Sequence, residues 1–83
     1  GRSQRTYPVM VKIVAFDRGG LLHEISGIVA GEGINMSQVN VTTSRNIATF
    51  YTTMEITGID QLSRVLAKIE RVPNVIEARR QTV

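Results

Sequence analysis

The stretch Ala15-Phe16-Asp17-Arg18-Gly19-Gly20-Leu21-Leu22 decides the fold, because it joins an alternating apolar run to a segment with helical apolar spacing. This order predicts a strand, a tight glycine loop and the start of a helix. Glycines let the backbone adopt positive φ and approach another group closely, and the first N–H groups of a helix lack partners within it. The junction therefore suits a small anion or a polar ligand. In the simpler interpretation, the two glycines only make the turn and Asp17 only caps the helix.

Length and composition bound the class of protein. The 83 residues suffice for one small domain, and the absence of cysteine excludes disulfides and thiolate metal sites. No apolar run reaches the roughly 18–20 residues that span a membrane, so we expect a cytoplasmic domain without a membrane partner. The polar residues 1–6 are predicted to be a linker or an expression remnant, and residues 7–83 the folded domain.

The net charge of +3 comes from basic residues that are scattered along the chain, with only two tyrosines and two phenylalanines among them. Nucleic-acid-binding domains usually concentrate Lys and Arg and interleave aromatic side chains, so an extended stacking surface is not indicated. The cations of the second predicted helix and the last strand are interpreted as a solvated surface, with an RNA or ribosome contact as the alternative. They are Arg64, Lys68, Arg71, Arg79 and Arg80.

Runs with strand or helix character follow one another along the whole chain. Strands are predicted at 7–16, 34–43, 47–57 and 75–83, with a helix after the glycine loop and another for which Asp60 is the predicted N-cap. A change of apolar parity near Ser37-Gln38 predicts a β-bulge, and Ser44-Arg45-Asn46 is a turn signal. The apolar stripes of the helices are Leu21, Leu22, Ile25, Ile28 and Val29, and Leu62, Val65, Leu66 and Ile69.

The order of elements is therefore β-α-β-β-α-β. With right-handed crossovers, this order predicts an α+β fold, a ferredoxin-like βαββαβ sandwich. Its four-stranded antiparallel sheet should carry both helices on one face, with the first and third strands at the centre.

The residues do not indicate catalytic chemistry. An enzyme needs a nucleophile with a base, a carboxylate pair or a metal cluster, whereas the chain has a single histidine, His23, on the polar side of the first predicted helix. Asp17 and Glu24 flank the loop but supply too few ligands for a metal. We therefore predict no catalytic residue, no metal and no cofactor, and interpret His23 as a surface residue near the loop.

The sequence resembles an ACT domain from about Tyr7 to Val83. The resemblance rests on the run Asp17-Arg18-Gly19-Gly20-Leu21-Leu22 after a strand, on Ile25 in the helix, and on Gly33-Ile34-Asn35-Met36 at the second strand. The Tyr-Pro-Val entry, the histidine that follows the two leucines and Val39-Asn40-Val41 are similar to the C-terminal ACT domain of Rel/SpoT-type (p)ppGpp synthetase/hydrolases, also called GTP pyrophosphokinases.

The resemblance implies a regulatory module that pairs side by side with a second copy into an eight-stranded sheet and binds a small amino acid at the interface. Its ligand contacts are expected from the loop after the first strand and from the start of the second. Carried over by motif, these residues are Asp17, Arg18, Gly19, Gly20, Leu21, Leu22 and Asn35.

For the parent protein, the resemblance implies a GTP pyrophosphokinase of the stringent response, with the domain contacting its catalytic domains. Two alternatives remain at this point. The first is a module that docks on RNA, the ribosome or another domain without a small ligand. The second is an ACT domain of another metabolic enzyme or of a transcriptional repressor.

Overall fold

Two long strands form the centre of the sheet. The computed structural model describes residues 5–17 and 19–81. Strand β1 (Tyr7–Phe16) pairs with β3 (Ile47–Ile56), and the edges are β2 (Asn35–Ser44) beside β3 and β4 (Val75–Arg80) beside β1. All three pairings are antiparallel. With helices α1 (Leu21–Gly31) and α2 (Ile59–Glu70), the chain has the predicted ferredoxin-like βαββαβ fold.

The core lies between the helices and one face of the sheet. Alternate residues of β1 and β3 are buried there, as the sequence pattern predicts, and the buried residues Leu21, Ile25 and Val29 of α1 pack into the same apolar cluster. The other members of the sequence alternation, such as Lys12 and Tyr51, lie on the opposite side of the sheet. We call this side, which no described helix covers, the open face.

Both helices begin after a glycine N-cap, which at α1 is one of the two alternatives that the sequence allows and at α2 replaces the predicted Asp60. Gly20 is the N-cap of α1, with φ 82°, and no described side chain caps this end, so Asp17 does not serve as the cap. The N-cap of α2 is Gly58, and Asp60 lies inside the first turn. The residue after Asp60, Gln61, contacts the residue that precedes this N-cap. The Gln61 side-chain oxygen accepts hydrogen bonds from the N–H of Thr57 at 2.8 Å and from its hydroxyl at 3.1 Å.

The edge strands are the irregular parts of the sheet. The predicted bulge in β2 is present, because the register with β3 shifts between Met36 and Gln38. A second shift, between Val14 and Ala15 in the pairing of β1 with β4, has no counterpart in the sequence pattern. Strand β4 ends at Arg80, one residue before the end of the described part. The predicted strand residues 82–83 and most of the predicted linker, residues 1–4, lie outside the described residues.

The left-handed backbone at Gly20 leads to a stability prediction. Replacing Gly20 with alanine should lower the free energy of unfolding by about 1–2 kcal/mol, because a side chain at positive φ clashes with its own backbone. Gly19 is the matched control, since an added Cβ meets nothing within 4 Å and its φ is outside the left-handed range. Gly19→Ala should be neutral or raise the free energy of unfolding by up to about 1 kcal/mol. Urea denaturation measures both variants, and equal losses in their free energy of unfolding would contradict the left-handed backbone at Gly20.

An ionic contact joins the end of α1 to the outer side of α2. The Glu32 carboxylate accepts hydrogen bonds from Arg64 Nε at 3.2 Å and from Lys68 Nζ. The Glu32 backbone carbonyl accepts from the side-chain amide of Gln61 at 2.9 Å. The hydrogen bond from Lys68, followed by that from Arg64, lowers the pKa of Glu32 below its ordinary value. The contact therefore favours the ionised carboxylate in the folded state.

This contact should make stability depend on pH in the acidic range. A carboxyl group whose pKa is lower in the folded state stabilises the fold above its ordinary pKa of 4.5, and the stabilisation is lost as the pH falls through the folded-state pKa. We expect Glu32→Gln to be less stable than the parent at neutral pH and the difference to shrink below pH about 4. Urea denaturation across this pH range provides the measurement, and a constant difference would contradict the prediction.

Candidate functional site

A cavity of about 220 Å³ lies where β1 ends and α1 begins. Its floor is the helix-side face of the sheet, from the end of β2 and the start of β3, and its rim is the glycine loop with the first turn of α1. The loop lies beside the start of β3 because Phe16 at the end of β1 pairs with Ile47 there. The lining residues are Asp17, Gly20, Leu21, Leu22, His23, Val41, Ala48 and Phe50.

Backbone hydrogen bonds hold the loop beside the cavity. The N–H of Asp17 donates to the carbonyl of Asn46 in the β2–β3 turn at 2.8 Å, and the N–H of Phe16 donates to the carbonyl of Asn74 at 2.8 Å. The N–H of Glu24 donates to the carbonyl of Gly20 at 3.0 Å, which closes the first turn of α1. The loop is therefore fixed from both of its neighbouring turns.

The rim and the floor offer different chemistry. The first N–H groups of an α-helix have no partner within the helix and carry the positive end of its dipole, and no described side chain caps α1. Asp17 adds an exposed carboxyl group on the same rim. The floor is apolar, with Val41, Ala48 and Phe50. The site can thus hold a molecule that has an anionic group, a cationic group and an apolar part.

The structure brings four of the seven predicted site residues together. Asp17, Gly20, Leu21 and Leu22 all line the cavity, and Gly19 precedes Gly20 in the same turn. Arg18 lies outside the described residues.

Asn35 lies at the far end of the sheet from this cavity within one chain. It opens β2 opposite Glu55, whereas the glycine loop adjoins the β3 end at Ile47. The rise of a strand puts roughly 26 Å between these two ends. A single chain therefore does not unite Asn35 with the loop.

Leu22 departs from its prediction as a member of the core stripe. Its side chain is 41% exposed, while Leu21 and Ile25 beside it are buried. Leu22 lies at the rim, and its exposed side chain forms part of the cavity.

Four lining residues were not predicted as site residues. They are His23, Val41, Ala48 and Phe50. The alternation of β3 placed Ala48 and Phe50 on the helix side, but only the pairing of β3 with the end of β1 puts them below the loop. His23 is exposed, as expected of a surface residue, and also forms part of the rim.

The cations suggested as an RNA surface occupy different parts of the molecule. Arg64 and Lys68 lie on α2 and bind Glu32, whereas Arg79 alternates with the buried Ala78 and therefore lies on the open face. None of the described helices is long and apolar enough to cross a membrane. Among the described residues, no group of three or more His, Cys, Asp or Glu side chains is placed to hold a metal ion.

Comparison with known proteins identifies the family. The model of the ACT domain family matches residues 3–80. The solved ACT domain from GTP pyrophosphokinase of Chlorobium tepidum is similar in fold, with a TM-score of 0.80 and 20% identity over 92% of this chain and 99% of that one. The chain belongs to the ACT domain family and is a regulatory domain rather than a catalytic one.

The relatives found by sequence are GTP pyrophosphokinases. The enzyme of Escherichia coli strain K12 is 43% identical over 76 residues, which are 89% of this chain and 10% of the relative. The enzyme of Haemophilus influenzae is 34% identical over 76 residues, with the same shares of the two chains. The chain thus spans about 10% of the length of these relatives.

Proposed function

We propose that this domain senses an amino acid with an apolar side chain and regulates a cytoplasmic GTP pyrophosphokinase of the stringent response. The observation that carries the proposal is the cavity at the start of α1, where no described side chain caps the helix and the floor is apolar. The similarity to GTP pyrophosphokinases over 89% of the chain supports this choice of parent over another metabolic enzyme or a repressor.

The cavity matches the three parts of such a ligand. The α-carboxylate would accept hydrogen bonds from the first N–H groups of α1, where the helix dipole favours an anion. The ammonium group would lie near the Asp17 carboxylate, and the side chain would lie against Leu22, Val41 and Phe50. A charged side chain would lose solvation on this apolar floor without gaining a partner. The expected ligands are therefore apolar amino acids.

A second copy of the chain would complete the site. Strand β2 is ten residues long, lies at the edge of the sheet and contains neither a charge nor a proline between Asn35 and Ser44. Edge strands of monomers usually carry such features, because they block pairing with another chain. Val39 and Val41 are also 37% and 45% exposed on the helix side. These features support pairing through β2.

The direction of that pairing decides what the second copy contributes. If two β2 strands pair antiparallel about their middle, Asn35 of one copy lies beside the Ser44 end of the other. The glycine loop and the cavity are at that end. The Asn35 amide would then donate to the ligand carboxylate or accept from its ammonium group. This arrangement would bring Asn35 of one copy to the described loop residues of the other.

The dimer is tested by the mass in solution of two matched variants. Val39→Lys puts a charge on the proposed interface, whereas Ile76→Lys changes a similarly exposed apolar residue on the other edge strand, β4. We expect the parent and Ile76→Lys to be dimers and Val39→Lys to be a monomer. A monomeric parent, or a dimer that only Ile76→Lys dissociates, would refute pairing through β2.

The ligand is tested by isothermal titration of the parent with each of the twenty amino acids. Saturable binding of apolar amino acids, lost in folded Asn35→Ala, would support the sensor. Binding would regulate the parent enzyme only through different affinity for two of its arrangements. A folded dimer that binds no amino acid would instead leave the docking alternative, in which the domain contacts RNA, the ribosome or the catalytic domains without a small ligand.

A further inference from the structure

A cluster of cations lies on the sheet away from the cavity at α1. Lys12 occupies the middle of β1 and alternates with the buried Val11 and Ile13, which places it on the open face. Its register partners are Tyr51 on β3 and Arg79 on β4. Arg80 follows at the end of β4, and a second cavity of about 220 Å³ is lined by Lys12, Glu77, Arg79, Arg80 and Gln81.

The direct pairing of Lys12 with Arg79 is electrostatically unfavourable. Like charges directly opposite each other on two antiparallel strands destabilise the sheet. The described part of the chain compensates them poorly. Glu77 approaches Arg79 only at 3.9 Å between exposed side chains, and neither Lys12 nor Arg80 forms an ion pair with a described carboxylate. An anion between these cations would relieve the repulsion.

The geometry of the cluster favours a small, multiply charged anion. Lys12, Arg79 and Glu77 leave a formal charge of +1 on the open face around a concave space. Arg80 lines the same space from the end of β4, where its pairing with Val11 places it toward the helix side. Arginine forks match the oxygen atoms of phosphate, and a lysine ammonium adds a point charge with three donors. The Gln81 backbone N–H donates to the carbonyl of Met10 at 2.8 Å, which holds this end of the chain against β1. The backbone that carries the lining side chains at this end of β4 is therefore hydrogen-bonded to β1.

We propose that this second cavity binds the diphosphate group of a small phosphorylated molecule. The lining residues are confined to β1, β4 and the residue after β4, which favours a compact phosphate group over a continuous strand of nucleic acid. The site lies on the open face, whereas the amino-acid cavity lies on the helix side. The two ligands would therefore bind without contact, and either proposal can fail independently of the other.

The probe for this site is inorganic pyrophosphate, titrated into the 83-residue chain at low ionic strength. Saturable binding is expected. Lys12→Gln and Arg79→Gln should each weaken it about tenfold to a hundredfold, because each removes a charged donor. Lys12→Arg should restore most of the affinity.

Arg71→Gln provides the matched control. Arg71 is exposed just beyond α2, does not line the cavity, and its replacement removes the same charge from the chain. This variant should bind pyrophosphate with little change. Equal weakening in Arg71→Gln and Arg79→Gln would indicate attraction by net charge alone and would overturn the proposal, as would the absence of saturable binding by the folded parent. Thermal unfolding of every variant checks that it is folded.

A parallel titration with a single-stranded oligouridine tests whether the site binds a small phosphorylated molecule or the phosphates of an RNA strand. Pyrophosphate binding that Lys12→Gln abolishes, with weaker or no binding of the oligonucleotide, supports the assignment to a small molecule. Oligonucleotide binding that Lys12→Gln abolishes, without any binding of pyrophosphate, overturns it in favour of an RNA surface on the open face.

Discussion

Replacing Ile25 with alanine should lower the free energy of unfolding by about 2–5 kcal/mol. The side chain of Ile25 is fully buried in the middle of α1 and belongs to the apolar cluster that joins this helix to the sheet. Alanine would remove apolar contacts and leave a cavity that close-packed neighbours can only partly fill. A domain of this size has a total stability of about 4–12 kcal/mol, so the loss would be large. Urea denaturation measures it, and Ile25→Val, with an expected loss of about 0.5–1.5 kcal/mol, covers the case in which Ile25→Ala does not fold.

Leu22→Ala is the control on the same helix. Like Ile25→Ala, this substitution truncates a four-carbon apolar side chain, but Leu22 is largely exposed at the rim of the cavity. We expect its loss of stability to stay below about 1 kcal/mol, while the affinity for an apolar amino acid falls. A loss comparable to that of Ile25→Ala would show that Leu22 is part of the core and would contradict its place at the site.

The order and type of the elements follow from local pattern, which is why the sequence sufficed to predict them. The alternation in β3 separates Phe50 and Met54 from Thr49 and Tyr51, and the structure buries the first pair on the helix side. The bulge in β2 was also visible, because in a regular strand the change of parity would move Val39 and Val41 to the face opposite Met36. The extra residue instead keeps all three on the helix side. Both signals depend only on neighbours along the chain.

The candidate site depends on segments that are distant along the chain, and here the sequence was less informative. The glycine loop was visible, but the floor below it requires the end of β1 to pair with the start of β3, which brings Phe50 near Leu22. The exposure of Leu22 depends on what covers the edge of the sheet, since its helical position alone is compatible with burial. At the start of α2, the N–H of Thr57 donates to the side-chain oxygen of Gln61, a contact that the sequence pattern did not indicate.

The two edge strands of the sheet differ in charge. The β4 edge ends in Arg79 and Arg80, which discourage pairing with another chain, whereas the long β2 edge lacks charge. This difference supports self-association through β2 and leaves β4 with its cations for another ligand. The two proposals for this protein therefore use opposite edges.

Thr52 is the one described residue whose buried side-chain oxygen lacks a hydrogen-bond partner. It lies on the helix side of β3 between Val11 and Val39 and is 3% exposed. The alternation of β3 predicts its burial, but whether a buried hydroxyl finds a partner depends on the packing around it. An unpaired buried polar group costs about 1–3 kcal/mol.

Replacing Thr52 with valine should therefore raise the free energy of unfolding by about 1–2 kcal/mol, because a methyl group of similar shape takes the place of an unsatisfied hydroxyl. Thr53→Val is the matched control. It makes the same chemical change one residue further along β3, on the open face, where the side chain is half-buried, and its effect should stay within about 0.5 kcal/mol. Equal stabilisation in both variants would point to the strand preference of valine, and a loss of stability in Thr52→Val would show that the hydroxyl has a partner in solution, such as a buried water. Stabilisation confined to Thr52→Val would mean that the core carries an energetic cost for this hydroxyl, which burial of the surrounding apolar side chains outweighs.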